Sequence, residues 1–345
     1  MKAIVIHAAG DLRIEDRDIG ALGPGEVEVR IKAGGICGSD LHYFNHGGFG
    51  AIRLVDPMIL GHEVAGVIAA IGQDVRDISV GDHVAVNPSR PCGTCRFCQQ
   101  GMQNHCLGMR FYGSAMRRPH IDGAFRQTLV ADAAQCIVVR PDLSLNEAAF
   151  AEPLAVVLHG LGKAGSLIGK RVLVTGCGPI GNLVILAARL SGAAEIVATD
   201  IVDEALVVAA SAGADRAINI ASRADALDVF AQNKGTFDVM FEASGNEAAL
   251  RSGLNIVRPE GTIVQLGLGG DVLIPLNTIV AKEIVLKGTF RFHEMFAVAA
   301  AMIESRRIDV RQLLTDVLPI SEAVSGFKLA SDRKQAMKVQ IDFSA

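Results

Sequence analysis

From Lys170 the chain alternates apolar strands with helix-length segments: RVLVTG, PIGNLVILAARLSG, EIVATD and DEALVVAASAG, continuing through AINI, FDVMFEAS and TIVQLGL. Such repetition constrains the fold severely, because parallel neighbours need crossover connections and those crossovers are right-handed. This half is predicted to be a doubly wound α/β domain. Before residue 150, short alternating runs such as EVEVRIKAGG and GDHVAVNP stand between Gly, Pro and Asp, the pattern of an irregular, mostly β domain. After EIVLKGTF the alternation stops, and the remainder is too short for a domain of its own. The expected organisation is a mostly β domain over 1–150 with a cysteine lobe at 88–110, a doubly wound domain over 151–290, and a segment 291–345 that packs back on the first domain.

The first strand-to-helix turn reads Gly176-Cys177-Gly178-Pro179-Ile180-Gly181. A glycine-rich hexapeptide alone is common. This one follows the strand RVLVT, opens a helix with Pro179 in its first turn, and precedes Asp200, at the end of the next strand, by about twenty residues. Glycine lets the backbone approach a pyrophosphate, and the helix N-terminus offers free N–H groups and positive potential. Asp200 is suited to accept hydrogen bonds from the adenosine ribose and to repel a 2′-phosphate, and the next residues, Ile201 and Val202, bring no cation to offset it. NAD is expected in preference to NADP.

Half of the 345 residues are hydrophobic and 20% are charged, ample for two cores. A net charge of −4 without a dense Lys/Arg run gives no footing for nucleic acid. The N-terminal MKAIVIHAAGDLRIEDRD turns charged by Asp11 and has no small-residue cleavage site, and the longest apolar stretch, from Leu183, is broken by Arg189 and Glu195. A cytoplasmic protein with a small-molecule partner, and without membrane or nucleic-acid binding, is expected. Thiols stay reduced there, so the cysteines packed into CGTCRFCQQGMQNHC point to metal. Cys92, Cys95, Cys98 and Cys106 form C-x2-C-x2-C-x7-C, able to close a tetrahedral zinc shell, and a shell filled by protein leaves no position for substrate. The third and fourth cysteines weaken a redox CxxC reading. This lobe is a clasp.

Chemistry then falls to less conspicuous residues. The segments GGICGSDLHYF, LGHEVAG and FAEPLAVVLHG hold Cys37, His62, Glu63 and Glu152, residue types suited to an open catalytic zinc. They share no local motif, and Cys37 and His62 each also read as ordinary core residues. Taken with the cysteine lobe and the later GxGxxG, GHEVAG with CGSD upstream resembles the zinc-containing medium-chain dehydrogenase/reductase family over essentially the whole chain. The resemblance implies a GroES-like catalytic domain and a Rossmann domain. It implies that Cys37, His62 and Glu63 occupy catalytic-zinc positions, that Asp40 orients the His62 ring, and that Ser39 and His42 relay a proton outward. Glu152 stands where alcohol-dehydrogenase members carry a cysteine, which resembles the polyol, sorbitol-dehydrogenase-like branch, where this glutamate either binds zinc or holds its water. The resemblance also assigns Ser244, Gly245, Leu266, Gly267, Phe290 and Arg291 to the cofactor.

The implied activity is hydride transfer from a secondary alcohol to NAD, with two zinc ions per chain. Tyr43 and Arg291 match positions that face substrate hydroxyls in sorbitol-dehydrogenase-like members, while Phe292 replaces a tyrosine often found there. The runs NPSRPCGTCRFC, MRFYGSAMRRPHIDGAF and FAEPLAVVLHG resemble members that interconvert L-idonate and 5-keto-D-gluconate. The carboxylate of such a sugar acid needs a cation, for which Arg110, Arg117, Arg118 and Arg291 are candidates. Sorbitol or xylitol is the alternative substrate class, followed by threonine and simple alcohols. A non-enzymatic NADH-binding structural protein would be expected to have lost zinc ligands, all of which this chain keeps. Members of the family form dimers and tetramers, so a homo-oligomer is expected.

Overall fold

The computed structural model describes residues 1–344. Its first domain is built on a mixed sheet whose strands neighbour one another in the order Cys136–Val139, His83–Val86, Glu63–Ile71, Glu26–Gly35, Lys338–Asp342 and Leu314–Pro319, with Thr128–Asp132 also paired to Glu26–Gly35. In EVEVRIKAGG the alternate residues Val27, Val29, Ile31 and Ala33 are buried. A two-residue pleat puts Val27, Val29 and Ile31 on one face, over a core that includes Ile4, Ile6, Phe125 and Phe327, while a register shift between Ile31 and Ala33 passes Ala33 to the core shared with the second domain. Glu26–Gly35 runs antiparallel to Glu63–Ile71 and sets Gly35 opposite Glu63.

The second domain is a six-stranded parallel sheet. Its spatial order is Arg216–Asn219, Glu195–Asp200, Arg171–Thr175, Phe237–Glu242, Val257–Gln265 and Val285–Gly288. Counted along the chain this is the 3-2-1-4-5-6 order of a Rossmann fold, which places its binding crevice at the carboxyl ends of the strands. Val172, Leu173 and Val174 are all buried, as continuous apolar runs must be when both faces are covered. The helix Pro179–Leu190 follows the first strand and buries Leu183, Val184, Ile185, Ala187 and Ala188.

The helix Ala151–Ala164 joins the halves. One core cluster runs through it, containing Ala33, Ala65 and Ala85 from the first sheet and Val174 and Leu183 from the second domain. The helix Met295–Glu304 packs against it, with Phe292, Phe296 and Ile303 in the same cluster. The strands Leu314–Pro319 and Lys338–Asp342, parallel to each other, then join the first sheet, Gln340 pairing with Gly35. Of the expected returning segment 291–345, the described residues 291–344 divide, the first part resting on the junction and the second completing the first domain.

Candidate active site

Cys37 precedes the helix Gly38–His46, and Asp40 in its first turn accepts the Cys37 N–H at 3.1 Å. His62 and Glu63 stand at the start of the strand Glu63–Ile71. Before them Gly61 has φ 89°, and a Cβ there would overlap the Phe125 ring, so glycine alone lets the chain pass this ring. Asp40 Oδ1 accepts the Gly61 N–H at 3.3 Å and lies 3.7 Å from His62 Nδ1, too far for a hydrogen bond but directly facing that nitrogen. One donor atom each from Cys37, His62 and Glu63 lies within 4.8 Å of the others. Glu152, in the first turn of Ala151–Ala164, is buried beside this group but outside it.

Burial pushes the Cys37 thiol up to about 12, helped by the negative charge of Glu63, and pushes the Glu152 carboxyl up to about 8. Acidic groups so withdrawn from water need a cation. The chain supplies one, because the Lys338 ammonium pairs with the Glu63 carboxylate and donates to the Ile36 carbonyl at 2.9 Å. A Cβ on Gly35 would overlap the Glu63 carboxylate, so this glycine makes room for the pair. Cys37, Asp40, Glu63 and Glu152 thus share this buried pocket with a single ammonium, that of Lys338. Thiol, imidazole and carboxylate donors gathered this closely fit a divalent zinc ion, which would take the place of their protons and leave an open position.

The four cysteines of the lobe form a second cluster. Cys95 Sγ lies 3.6 Å from Cys98 Sγ and 4.0 Å from Cys106 Sγ. A tetrahedral shell with Zn–S near 2.3 Å spaces its sulfurs roughly 3.8 Å apart, so this set fits a closed site. Backbone N–H groups favour the thiolates: Cys95 donates to Cys92, and both Cys92 and Gly108 donate to Cys106. The Cys92 thiol is lowered to about 5, chiefly by the Thr94 N–H. Between the last two cysteines, Asn104 Nδ2 donates to the Phe290 carbonyl at 3.1 Å and the His105 ring stacks on the Phe290 ring at 6.1 Å. The lobe thereby grips the residue before Arg291.

At the glycine-rich turn, Gly176 has φ 83° and its N–H donates to the Thr199 carbonyl at 2.9 Å. A Cβ on Gly181 would overlap the Gly176 carbonyl, whereas Gly178, ahead of Pro179 and Ile180, faces open space with only Arg333 Nη2 nearby, 3.9 Å from where a Cβ would sit. An uncovered turn at a helix N-terminus fits a pyrophosphate. The Asp200 carboxylate accepts four donors: the N–H groups of Cys177 at 2.6 Å, Ile201 at 2.7 Å and Val202 at 3.1 Å, and Arg333 Nη2 at 2.6 Å. A cation does reach Asp200, from the returning segment and not from the adjacent residues. Ser244 and Gly245 both donate backbone N–H groups to the buried Glu242 carboxylate at 2.9 Å, while Leu266 and Gly267 donate theirs to the Glu242 carbonyl at 2.8 and 2.9 Å. Glu242 is thus a hub that holds two crevice loops together.

Of the substrate candidates, Tyr43 is buried in the first core and its hydroxyl accepts the Ala115 N–H at 3.0 Å. Ser39 hydrogen-bonds Cys37, and burial, then His46, holds the His42 imidazole below its ordinary range. Arg110, Arg117 and Arg118 are exposed, and Arg117 is occupied by the Gly108 carbonyl at 2.9 Å. Arg291 differs. Its guanidinium lies 4.1 Å from the centre of the Phe111 ring and 5.0 Å from that of Phe290, and no ion pair among the described residues includes it. Burial lowers it to about 10, with Glu152 and Tyr43 partly compensating. Phe292 is buried against Phe296. Lys338, Arg333, Glu242 and Asn104 carry no signal in the sequence, since none belongs to a local motif.

Residues 23–141 match the family described as Alcohol dehydrogenase GroES-like domain, and residues 179–305 match Zinc-binding dehydrogenase. The chain is 41% identical over 316 residues to L-idonate 5-dehydrogenase (NAD(P)(+)) of Escherichia coli, covering 91% of each protein. It is 34% identical over 344 residues to sorbitol dehydrogenase of Gallus gallus, covering 98% of this chain and 95% of that one. The crystal structure of the Escherichia coli L-idonate 5-dehydrogenase superposes with a TM-score of 0.95 at 38% identity, covering 99% of this chain and 97% of the other. No helix among the described residues is long and apolar enough to cross a membrane. Matches over both halves, together with the donor clusters and the nucleotide turn, establish that the chain belongs to the polyol-dehydrogenase branch of the zinc-containing medium-chain dehydrogenase/reductase family.

Proposed function

We propose that this protein oxidises the C5 hydroxyl of L-idonate to give 5-keto-D-gluconate, reversibly, with NAD as hydride acceptor. The observation that carries the sugar-acid reading is Arg291, a desolvated guanidinium stacked on Phe111 and without a carboxylate of its own. A substrate carboxylate completes that pair. The similarity to the Escherichia coli enzyme supports the same substrate. In this reading residues 1–150 and the returning strands form the catalytic domain, residues 151–290 bind NAD, and the enzyme works in the cytoplasm, where its seven free cysteines stay reduced.

Cys37, His62 and Glu63 would hold the catalytic zinc, with Glu152 beside them, and Cys92, Cys95, Cys98 and Cys106 would hold the structural one. Zinc supplies Lewis acidity that lets an alcohol release its proton near neutral pH. Arg291 orients the polyol chain so that C5 faces the nicotinamide, and Tyr43, buried in the first core, lies behind it. Ser39 and His42 lie three apart on the helix Gly38–His46, hence on one face, and carry the hydroxyl proton outward. His42 suits the outer end because its depressed pKa keeps the imidazole free to accept a proton. Gly176, Gly178 and Gly181 cradle the pyrophosphate, and Asp200 takes the adenosine ribose. The strand Val285–Gly288, at the sheet edge with Val285 and Leu286 exposed, supports a homo-oligomer.

The test is catalytic efficiency with NAD for L-idonate and for sorbitol at one pH, in the unaltered protein and in Arg291→Ala. Leaving a buried charge unpaired costs roughly 2 to 5 kcal/mol, so L-idonate should lead sorbitol by at least about tenfold, and Arg291→Ala should erase most of that lead. Sorbitol turned over as well as L-idonate rejects the sugar-acid reading and leaves a polyol dehydrogenase.

A further inference from the structure

The crowding of Asp200 bears on which nicotinamide nucleotide the crevice admits. An ionised carboxylate offers about four lone-pair positions, and in Asp200 all four are taken, three by the backbone N–H groups of Cys177, Ile201 and Val202 and one by Arg333. A ribose hydroxyl can bond this carboxylate only by displacing a donor. The backbone donors belong to the glycine-rich turn and to the chain leaving the strand Glu195–Asp200, so they are fixed. Arg333 is the only side chain among the four, and with its side chain 45% exposed it is free to swing.

We propose that Arg333 is the residue that sets the balance between NAD and NADP, by serving as the receptor for the adenosine 2′-phosphate. The inference rests on the NAD-linked reading above and adds a second nucleotide to it. Two consequences of the geometry carry it. Asp200 is charge-paired before any nucleotide arrives, so a 2′-phosphate does not meet the bare negative charge that the sequence implied. The guanidinium displaced by the ribose is left beside the 2′ position, where a phosphate of about −1.5 to −2 charge offers it several strong acceptors. Bound NAD leaves Arg333 without a partner; bound NADP gives it a better one.

The experiment uses the zinc-loaded protein with Arg333→Ala and Arg333→Lys, and reads binding, not turnover. Dissociation constants for NADH and NADPH are measured by nucleotide fluorescence, and those for adenosine 5′-monophosphate and adenosine 2′,5′-bisphosphate by calorimetry. In the unaltered protein NADPH should bind within about tenfold of NADH. Arg333→Ala should weaken NADPH and the bisphosphate by at least about tenfold, the scale of one charge-assisted hydrogen bond. NADH and the monophosphate should hold constant or bind more tightly, because no ion pair has to be broken for them. Arg333→Lys, which keeps a point charge, should recover part of the NADPH affinity.

Equal weakening of both nucleotides by Arg333→Ala would overturn the proposal in favour of an arginine that serves the shared pyrophosphate. Unchanged NADPH binding in that variant would overturn it as well. An unaltered protein that binds NADH but shows no NADPH binding would refute the 2′-phosphate receptor while leaving the NAD-linked reading intact. Failure to bind either nucleotide would refute the NAD-linked reading itself. Unfolding temperatures of both variants separate a binding effect from loss of fold.

Discussion

Lys338 and Glu63 form the most consequential side-chain pair in the first domain, since both are withdrawn from water within the candidate zinc pocket. Removing one partner of a buried ion pair costs roughly 3 to 5 kcal/mol because the other charge is left uncompensated. Here a metal ion is a second source of compensation. Lys338→Met should therefore destabilise the metal-free protein by about that amount and the zinc-loaded protein by distinctly less, as read by denaturant unfolding of both forms. Equal losses with and without zinc would show that the lysine and the metal do not share Glu63. At this scale the sequence was only partly legible. Cys37, His62 and Glu63 could be picked out by resemblance, but Lys338 was invisible because it reaches Glu63 through strand pairing between distant parts of the chain. Arg333 is illegible for the same reason, since it reaches Asp200 from 133 residues further along the chain.

Among the elements, those with a repeating or compact signal were the legible ones. Continuous apolar strands such as RVLVT separated by helix-length segments disclosed the parallel sheet, and four cysteines within CGTCRFCQQGMQNHC disclosed the lobe. What the spacing did not disclose is that the lobe is fastened to the second domain through Asn104 and the Phe290 carbonyl. That bond ties the clasp to the position of Arg291. Cys95→Ser should first lower the unfolding temperature and the zinc content. Asn104→Ala should keep both zinc ions and raise KM for L-idonate with little change in kcat, by roughly fivefold if one hydrogen bond of about 1 kcal/mol is lost. Metal analysis alongside steady-state kinetics separates the two variants, and an unchanged KM in Asn104→Ala would show that the lobe does not position the arginine.

For the whole molecule, the two domains share one core cluster around Ala151–Ala164, so the crevice between them is bounded by a common helix. The outer strand Val285–Gly288 leaves a row of backbone groups unpaired at the sheet edge, with Val285 and Leu286 exposed on it. A second copy of the chain covers such an edge most simply by a two-fold pairing. If the proposed homo-oligomer forms through this edge, Leu286→Glu shifts the protein toward monomer in analytical ultracentrifugation, and an unaltered protein that sediments as a monomer would exclude the pairing. The late arrival of Lys338–Asp342 has a different consequence, for synthesis. The Ala33–Gly35 end of its partner strand leaves the ribosome long before this neighbour has been made. A nascent chain must carry that bare edge and an unneutralised Glu63 throughout, exposed to wrong pairings. A ribosome that stopped near Asp332 would release a chain with its nucleotide fold finished, its metal pocket unfinished, and a sheet edge open to whatever strand it met first.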